Sequence, residues 1–174
     1  LHVWGGVATP EAAAAFIATG AAGVFFESVH WLTDLAGVPE ACQKKIEQLR
    51  PDHTRLIGVQ CQPPCRVFDK GNSRAAKTAL QHSYSSNSPQ EWLNYLQNHL
   101  ISPLHSRWST DQLIPLGVEA TFAKSFVWRF GHEFKQAVQQ FQRCVQDLLD
   151  QRREIVSRFA DSNVARQWGT RFPI

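Results

Sequence analysis

Short apolar runs separated by glycine turns make up the first 28 residues, and they predict a strand, a helix and a second strand. Residues 2–4 are apolar, and Gly5-Gly6 follows them. The alanine-rich stretch after Thr9 has a typical helix start and a typical stop at Gly20. Residues 22–26 form the second apolar run. One short helix between two strands favours a right-handed parallel crossover, which needs neighbouring strands to complete its sheet.

The spacing of apolar residues predicts a mainly helical region further along the chain. Two short apolar runs, residues 56–59 and 66–68, predict strands, and the serine-rich residues 82–88 predict a mobile loop. Ser88 and Glu91 have the spacing of a capping box. The predicted helices cover, in chain order, residues 30–36, 39–49, 74–81, 88–100 and 118–159.

The last predicted helix has a wide aromatic stripe. Its apolar residues recur every three or four positions, and Gly131 is expected to divide or kink it. Such a stripe predicts a helix that packs on a neighbouring domain, with a cofactor or lipid groove as the alternative. The stripe consists of Phe122, Phe126, Phe130, Phe134, Val138, Phe141, Val145, Leu148 and Leu149. Layer packing is also predicted for Trp92, Trp108, Trp128 and Trp168.

Composition is consistent with one packed domain in the cytoplasm. The chain has 174 residues, 43% of them hydrophobic, and a formal net charge of +3. Its dispersed cations argue against a nucleic-acid partner, and no apolar run is long enough for a membrane span. Four irregularly spaced cysteines indicate a reduced, cytoplasmic protein. Because the chain lacks methionine and starts at Leu1, we expect it to be a piece of a longer protein.

Two familiar chemistries are poorly matched by their residue spacing. Cys61, Cys65 and His53 could suggest zinc, but the interval is unusual and a second ligand pair is missing, so no metal is expected. The serines after His82 lack the Gly-x-Ser-x-Gly turn of a hydrolase nucleophile.

Residues 5–28, GGVATPEAAAAFIATGAAGVFFES, carry a family resemblance. They resemble the last crossover of the nitronate monooxygenase (2-nitropropane dioxygenase) family of FMN-dependent (β/α)8 barrels. Relatives occur as enoyl-reductase-like components of polyketide and polyunsaturated fatty acid synthases. That family has Gly-Gly after its seventh strand and then Gly-Ala-Asp-Gly-Val; here residues 20–24 keep the pattern with Ala22 in place of Asp. The tail VARQWGTRFPI resembles the first strand of such a barrel.

The resemblance implies an α/β fold, namely a fragment of a (β/α)8 TIM barrel that supplies the last βαβ unit, followed by a mainly α-helical region. Residues 1–38 would be the carboxyl-terminal end of an FMN-type barrel. Residues 39–163 would be a helical connector, and residues 164–174 the beginning of a second barrel-like domain.

The resemblance also implies a place for FMN. In this family, backbone N–H groups of the loops after strands seven and eight hold the FMN phosphate. Carried over, the cofactor-binding residues are Gly5, Gly6, Phe25, Phe26, Glu27 and Ser28. Glu27 departs from the family's glycine, and a carboxylate 4 Å from a phosphate charge repels it by about 1 kcal/mol in water. Either Glu27 points away or this barrel does not bind FMN.

Two functions follow from the resemblance. The first is part of an FMN-dependent oxidoreductase module, nitronate monooxygenase-like or enoyl-reductase-like, in a multidomain polyketide or fatty acid synthase. Its partners would be the rest of the barrel, other synthase domains and an acyl or nitronate substrate. The catalytic residues are unknown, because the family's catalytic histidine lies on a part of the barrel that is absent here, and His30 does not match it. The alternative is a non-catalytic connector that has lost FMN. An independent α/β domain is disfavoured, because both sheet edges would be open.

Overall fold

The first 25 residues form the predicted βαβ unit. The computed structural model describes residues 1–103 and 108–160, except the side chains of residues 159 and 160. Strand β1 (His2–Trp4) precedes helix α1 (Pro10–Ala18) in the chain, and strand β2 (Gly23–Phe25) follows it. The two strands pair in parallel. The Thr9 hydroxyl oxygen accepts a hydrogen bond of 3.2 Å from the Ala12 N–H, which confirms the predicted helix start.

The two faces of this sheet differ. Val3 and Val24 lie opposite each other and pack on the main core. On the other face Trp4 is 75% exposed, and its ring stacks on that of Phe25 at 5.3 Å between centroids. Within the described residues this sheet has two strands, so each has one edge with no strand partner.

A loop follows β2 where a helix over residues 30–36 is predicted, and that prediction is wrong. The loop contains one short 3-10 turn, Asp34–Ala36. Thr33 has an extended backbone, with φ of −88° and ψ of 165°. The Asp34 N–H donates to the His132 carbonyl oxygen at 3.0 Å, and the Asp34 Oδ1 accepts from the Phe134 N–H at 2.9 Å. These contacts with a distant segment replace the hydrogen bonds of a local helix.

An antiparallel strand pair and two helices form the middle of the chain, after helix α2 (Glu40–Ile46). Strand β3 (Thr54–Ile57) pairs with β4 (Cys65–Phe68), close to the predicted positions. The other edge of β4 is also satisfied: the Phe68 N–H donates to Ile114 O, and the Leu116 N–H donates to Arg66 O, both at 2.9 Å.

Helices α3 (Arg74–Ser85) and α4 (Pro89–His99) cover this strand pair. Helix α3 runs four residues into the predicted loop 82–88, so that prediction is wrong over most of its length. The reason is that Ser83 is buried, and its hydroxyl donates to the Leu80 carbonyl oxygen at 2.7 Å. Ser88 caps α4 as predicted, and its hydroxyl accepts from the Glu91 N–H at 3.2 Å.

Trp92 of α4 lies at the centre of a second core. It is 0% exposed, and its Nε1–H donates to the Pro63 carbonyl oxygen at 2.9 Å. Gly58 lies against its ring with φ of 69°, and a Cβ there would be 2.6 Å from Trp92 Cε2. Glycine is therefore required at this position both for its backbone conformation and for space. The buried members of this core are Ile57, Cys61, Val67, Ala76, Ala79, Trp92, Leu96 and Leu113.

The aromatic stripe lies on two helices divided at Gly131, as predicted. A 3-10 turn (Val118–Phe122) leads into α5 (Ala123–Phe130), and α6 (Phe134–Ala160) follows. Gly131 has φ of 90° and ends α5. The ring of Phe141 meets Phe26 edge-on at 4.8 Å, so α6 packs on the amino-terminal segment. The main core is therefore continuous across residue 38, and the domain boundaries stay predictions.

Two predictions about tryptophans meet different outcomes. Trp92 and Trp108 are buried as predicted, whereas Trp128 is 88% exposed on α5, so its predicted packing is wrong. Trp168 and the predicted second barrel at 164–174 lie outside the described residues.

Among the described helices, none is both long and apolar enough to cross a bilayer.

Candidate functional site

The Gly5-Gly6 turn and the residues after β2 meet at one edge of the sheet. Gly5 and Gly6 have φ of 73° and 70°, a conformation that strongly favours glycine. Since β1 and β2 are parallel, the segments after both strands leave the sheet on the same side. A Cβ on Gly5 would lie 3.3 Å from Glu27 Oε2. The carboxyl of Glu27 therefore lies against the turn and does not point away from it.

Glu119 also reaches this corner, and sequence analysis does not single it out. The 3-10 turn before α5 carries it inward, where it is 4% exposed. Its Oε2 accepts a long hydrogen bond of 3.4 Å from the Gly6 N–H. Gly117 leaves room for this carboxyl, because a Cβ there would be 2.6 Å from Glu119 Cδ. Glu119 is 113 residues from Gly6 in the chain and belongs to no familiar motif, so only the nearby glycine could have hinted at it.

The two carboxyls interact. Burial, and then the hydrogen bond and charge of Glu119, raise the pKa of Glu27 above its usual 4.5. Glu119 Oε1 is buried and receives no hydrogen bond from the donor groups of the described residues. A pair of carboxylates has no hydrogen-bond donor of its own, so a proton on one of them is required for a bond between them.

The other predicted cofactor residues take separate positions. Phe25 stacks on Trp4 on the outer face of the sheet, and the Phe26 side chain packs into the core. Ser28 is 1% exposed, and its hydroxyl has no partner among the described residues. It lines a cleft of about 370 Å³ together with Glu27 and Arg66. Assignment of these residues to FMN stays a prediction.

As arranged here, the corner does not fit a dianionic phosphate. The Gly6 N–H, which such a phosphate would need, donates to Glu119. The carboxyl of Glu27 lies beside Gly5, so a phosphate would meet two acidic groups at close range. The Ser28 hydroxyl, which has no partner among the described residues, favours an anion.

A larger apolar groove of about 640 Å³ lies between α6 and the α1–β2 face. Val24, Phe26 and Phe141 contribute to its walls. His30 also lines it, with Nδ1 unpartnered among the described residues, and burial lowers the pKa of this imidazole. This groove runs along the aromatic stripe, for which the sequence predicts a cofactor or lipid groove as the alternative to domain packing. That a cofactor or lipid binds there stays a prediction.

Cys42, Cys61, Cys65 and Cys144 form no disulfide with one another. Cys61 Sγ donates to the Ser83 carbonyl oxygen at 3.0 Å, and burial raises the pKa of Cys65. Across residues 1–103 and 108–160, no three side chains of His, Cys, Asp or Glu are grouped so that they could hold a metal ion.

Comparisons with known proteins bear on the fold. Neither a scan of protein-family models nor a search of curated proteins finds a match. Among solved structures, FabK from Thermotoga maritima is similar, with a TM-score of 0.61 and 18% sequence identity. The match covers 88% of this chain and 46% of that one, so the chain spans about half the length of FabK. At this identity the likeness concerns the fold alone. The chain thus has a mixed α/β structure similar to part of FabK, without a closed barrel in the described residues.

Proposed function

We propose that this chain forms the last part of an FMN-barrel-type fold and acts as a structural connector. In this proposal the carboxyls of Glu27 and Glu119 occupy the corner at which such a barrel would bind the FMN phosphate. The barrel part of the proposal is supported by the likeness to FabK, together with the sequence resemblance of residues 5–28 to FMN-dependent barrels. The connector part is supported by one contact, the hydrogen bond from the Gly6 N–H to Glu119.

That contact matters because the sequence resemblance implies that the Gly6 N–H would hold the FMN phosphate. A carboxylate is itself an anion, and here it is supplied by the region after the barrel. The region after the barrel therefore takes the place of a ligand and fastens itself to the corner. Glu27 strengthens the exclusion of phosphate, because its carboxyl lies against Gly5.

The partner that fits this role is the rest of a barrel. Trp4 and Phe25 form an apolar outer face on β1 and β2, and each strand has an unpaired edge among the described residues. Further parallel strands would pair with these edges and cover the aromatic rings. The connector would then join the barrel to other modules, and a polyketide or fatty acid synthase is the context that the sequence resemblance favours.

Flavin content tests the proposal directly. The protein that carries this chain with its complete barrel would be purified, denatured and assayed for released FMN by fluorescence. We expect far less than one FMN per chain, including after incubation with excess FMN. One tightly bound FMN per chain would contradict the closed corner.

A second function, an FMN-dependent oxidoreductase module acting on an acyl or nitronate substrate, is favoured by Ser28. Its buried hydroxyl lacks a partner among the described residues and is suited to donate to a phosphate oxygen. If this function is right, FMN co-purifies with the protein, and Ser28→Ala weakens its binding. Ser85→Ala, at an exposed serine at the end of α3, is the matched control.

A further inference from the structure

The carboxyl pair joins two parts of the chain that are remote in sequence. Glu27 follows strand β2, and Glu119 lies in the 3-10 turn Val118–Phe122. The Glu119 carboxyl reaches the Gly6 N–H at 3.4 Å, and that of Glu27 lies against Gly5. Glu119 thus makes a polar contact between the Val118–Phe122 turn and the glycine turn, and the Glu27 carboxyl lies beside that contact.

We propose that Glu27 and Glu119 share one proton, and that this proton fastens the Val118–Phe122 turn onto the Gly5-Gly6 turn, so that the corner closes at acidic pH and loosens as the pH rises. The inference rests on the proposed function, since it describes how the same corner is held shut.

A hydrogen-bond donor is needed between these two carboxyls, because two carboxylates have none of their own. Among residues 1–103 and 108–158, the ion pairs involve neither Glu27 nor Glu119. Arg66 on β4 lines the cleft beside Glu27, but its Nη1 donates to the Thr54 hydroxyl at 3.0 Å. On α5, which follows the turn, Arg129 pairs with Glu11. A proton on Glu27 provides the donor that the buried Glu119 Oε1 lacks.

His30, the next titratable group along this loop, does not serve the pair. Its ring packs edge-on against Phe134 at 5.5 Å, in the groove beside α6. The titration of His30 therefore affects the α6 side of the loop.

The direction of the pH effect follows from the shared proton. A group whose pKa is higher in the closed state stabilises that state fully below its ordinary pKa, here 4.5, and the stabilisation is lost as the pH rises through the raised pKa. As the pH rises through the raised pKa of Glu27, the shared proton is lost and the contact that it makes is lost with it. Each unit by which closure raises the pKa corresponds to about a tenfold change in the opening equilibrium.

Amide hydrogen exchange measures this opening locally. The full 174-residue chain would be followed from about pH 4.5 to about pH 7.5, with rates corrected for the intrinsic pH dependence of exchange. In the wild type we expect protection of residues 118–122 to fall as the pH rises. In Glu27→Gln we expect protection to stay flat, because the side-chain amide donates to Glu119 at every pH. Glu47→Gln, at an exposed position after α2, should keep the wild-type slope.

Two results would overturn the proposal. One is an equal pH slope in the wild type and Glu27→Gln, or no slope in either. The other is a wild type whose protection at neutral pH is restored by Mg²⁺ or Ca²⁺, which would mean that a cation, not a proton, joins the carboxyls. Bound flavin in the intact protein would contradict the proposed function. The pH dependence of amide exchange tests the shared proton separately.

Discussion

The two strand pairs of this chain differ in how completely the chain itself covers them. β3 and β4 have Trp92 buried against them, and the outer edge of β4 is hydrogen-bonded to residues 114–116. On one face of β1 and β2, Val3 and Val24 pack on the main core, while Trp4 and Phe25 remain exposed on the other. An exposed aromatic face beside unpaired edges is typical of a surface that other strands cover. The comparison supports a second pair that the chain itself covers at the β4 edge and around Trp92, and a first pair that it covers less completely.

Trp92→Ala should have the largest effect, because it removes the centre of the closed region. A fully buried tryptophan replaced by alanine costs about 3–5 kcal/mol of unfolding free energy. Urea unfolding followed by circular dichroism would measure the loss. Trp128→Ala is the control, since Trp128 is exposed and its loss should cost less than about 0.5 kcal/mol. Similar losses for the two variants would show that Trp92 does not hold the β3–β4 region together.

Gly58→Ala should have the next largest effect. It adds a left-handed backbone penalty and a clash with the Trp92 ring, so we expect a loss of about 2–4 kcal/mol. Gly37→Ala is a matched control, because Gly37 also has a positive φ, 59°, but has open space around it. Gly37→Ala should lower the unfolding free energy by about 1–2 kcal/mol, which is the backbone penalty alone. An equal loss in thermal or urea unfolding would mean that the tryptophan ring moves aside without cost.

Glu27→Gly tests whether the Glu27 carboxyl keeps phosphate out of the corner. In the protein with its complete barrel, loss of this carboxylate should strengthen FMN binding by about fivefold, corresponding to about 1 kcal/mol of removed repulsion. Fluorescence titration with FMN would measure the change, with Glu47→Gly as the control for loss of one negative charge. Unchanged affinity would place the Glu27 carboxylate away from any phosphate.

His30 gives a smaller, acid-dependent effect. Burial lowers its pKa below the usual 6.5, so the stabilisation from its neutral form is present above pH 6.5 and is lost as the pH falls through the lowered value. His30→Asn should flatten this acid-side decline in the urea midpoint. His2→Asn, at an exposed histidine on the outer face of the sheet, should leave it unchanged. A decline that persists in His30→Asn would assign it to another group.

Trp4→Ser should have the smallest effect on the isolated chain. Since the ring is 75% exposed, the unfolding free energy should change by less than about 0.5 kcal/mol. The same change in the protein with its complete barrel should destabilise it clearly, because the ring would then be buried. Calorimetry of both proteins would show the contrast, and equal small effects would argue that no strands cover this face.

Local signals in the sequence predicted much of the fold. Thr9 and Ser88 start helices, and Gly131 divides the aromatic stripe, as their chemistry predicts. The errors arise where distant contacts prevail over local preference. Asp34 bonds to residues 132 and 134 instead of continuing a helix, and the buried Ser83 extends α3 into a serine-rich segment.

The candidate site was predictable only in part. Gly5-Gly6 and the residues after β2 do lie together, because a parallel βαβ unit brings its two carboxyl-end loops to one edge. Glu119 could not be inferred, because its place at Gly6 depends on how the later helices pack. The sequence resemblance implies that a cofactor binds at this corner. The packing instead brings the Glu119 carboxyl to the same corner, where it would compete with a phosphate for the Gly6 N–H.

The central claim is that this chain covers the β1–β2 pair less completely than the β3–β4 pair. Amide hydrogen exchange of the 174-residue chain at one pH tests it most directly. The account predicts that the slowest amides of residues 2–4 and 23–25 exchange at least about tenfold faster than those of residues 54–57 and 65–68. Equal or slower exchange in the first pair would contradict it.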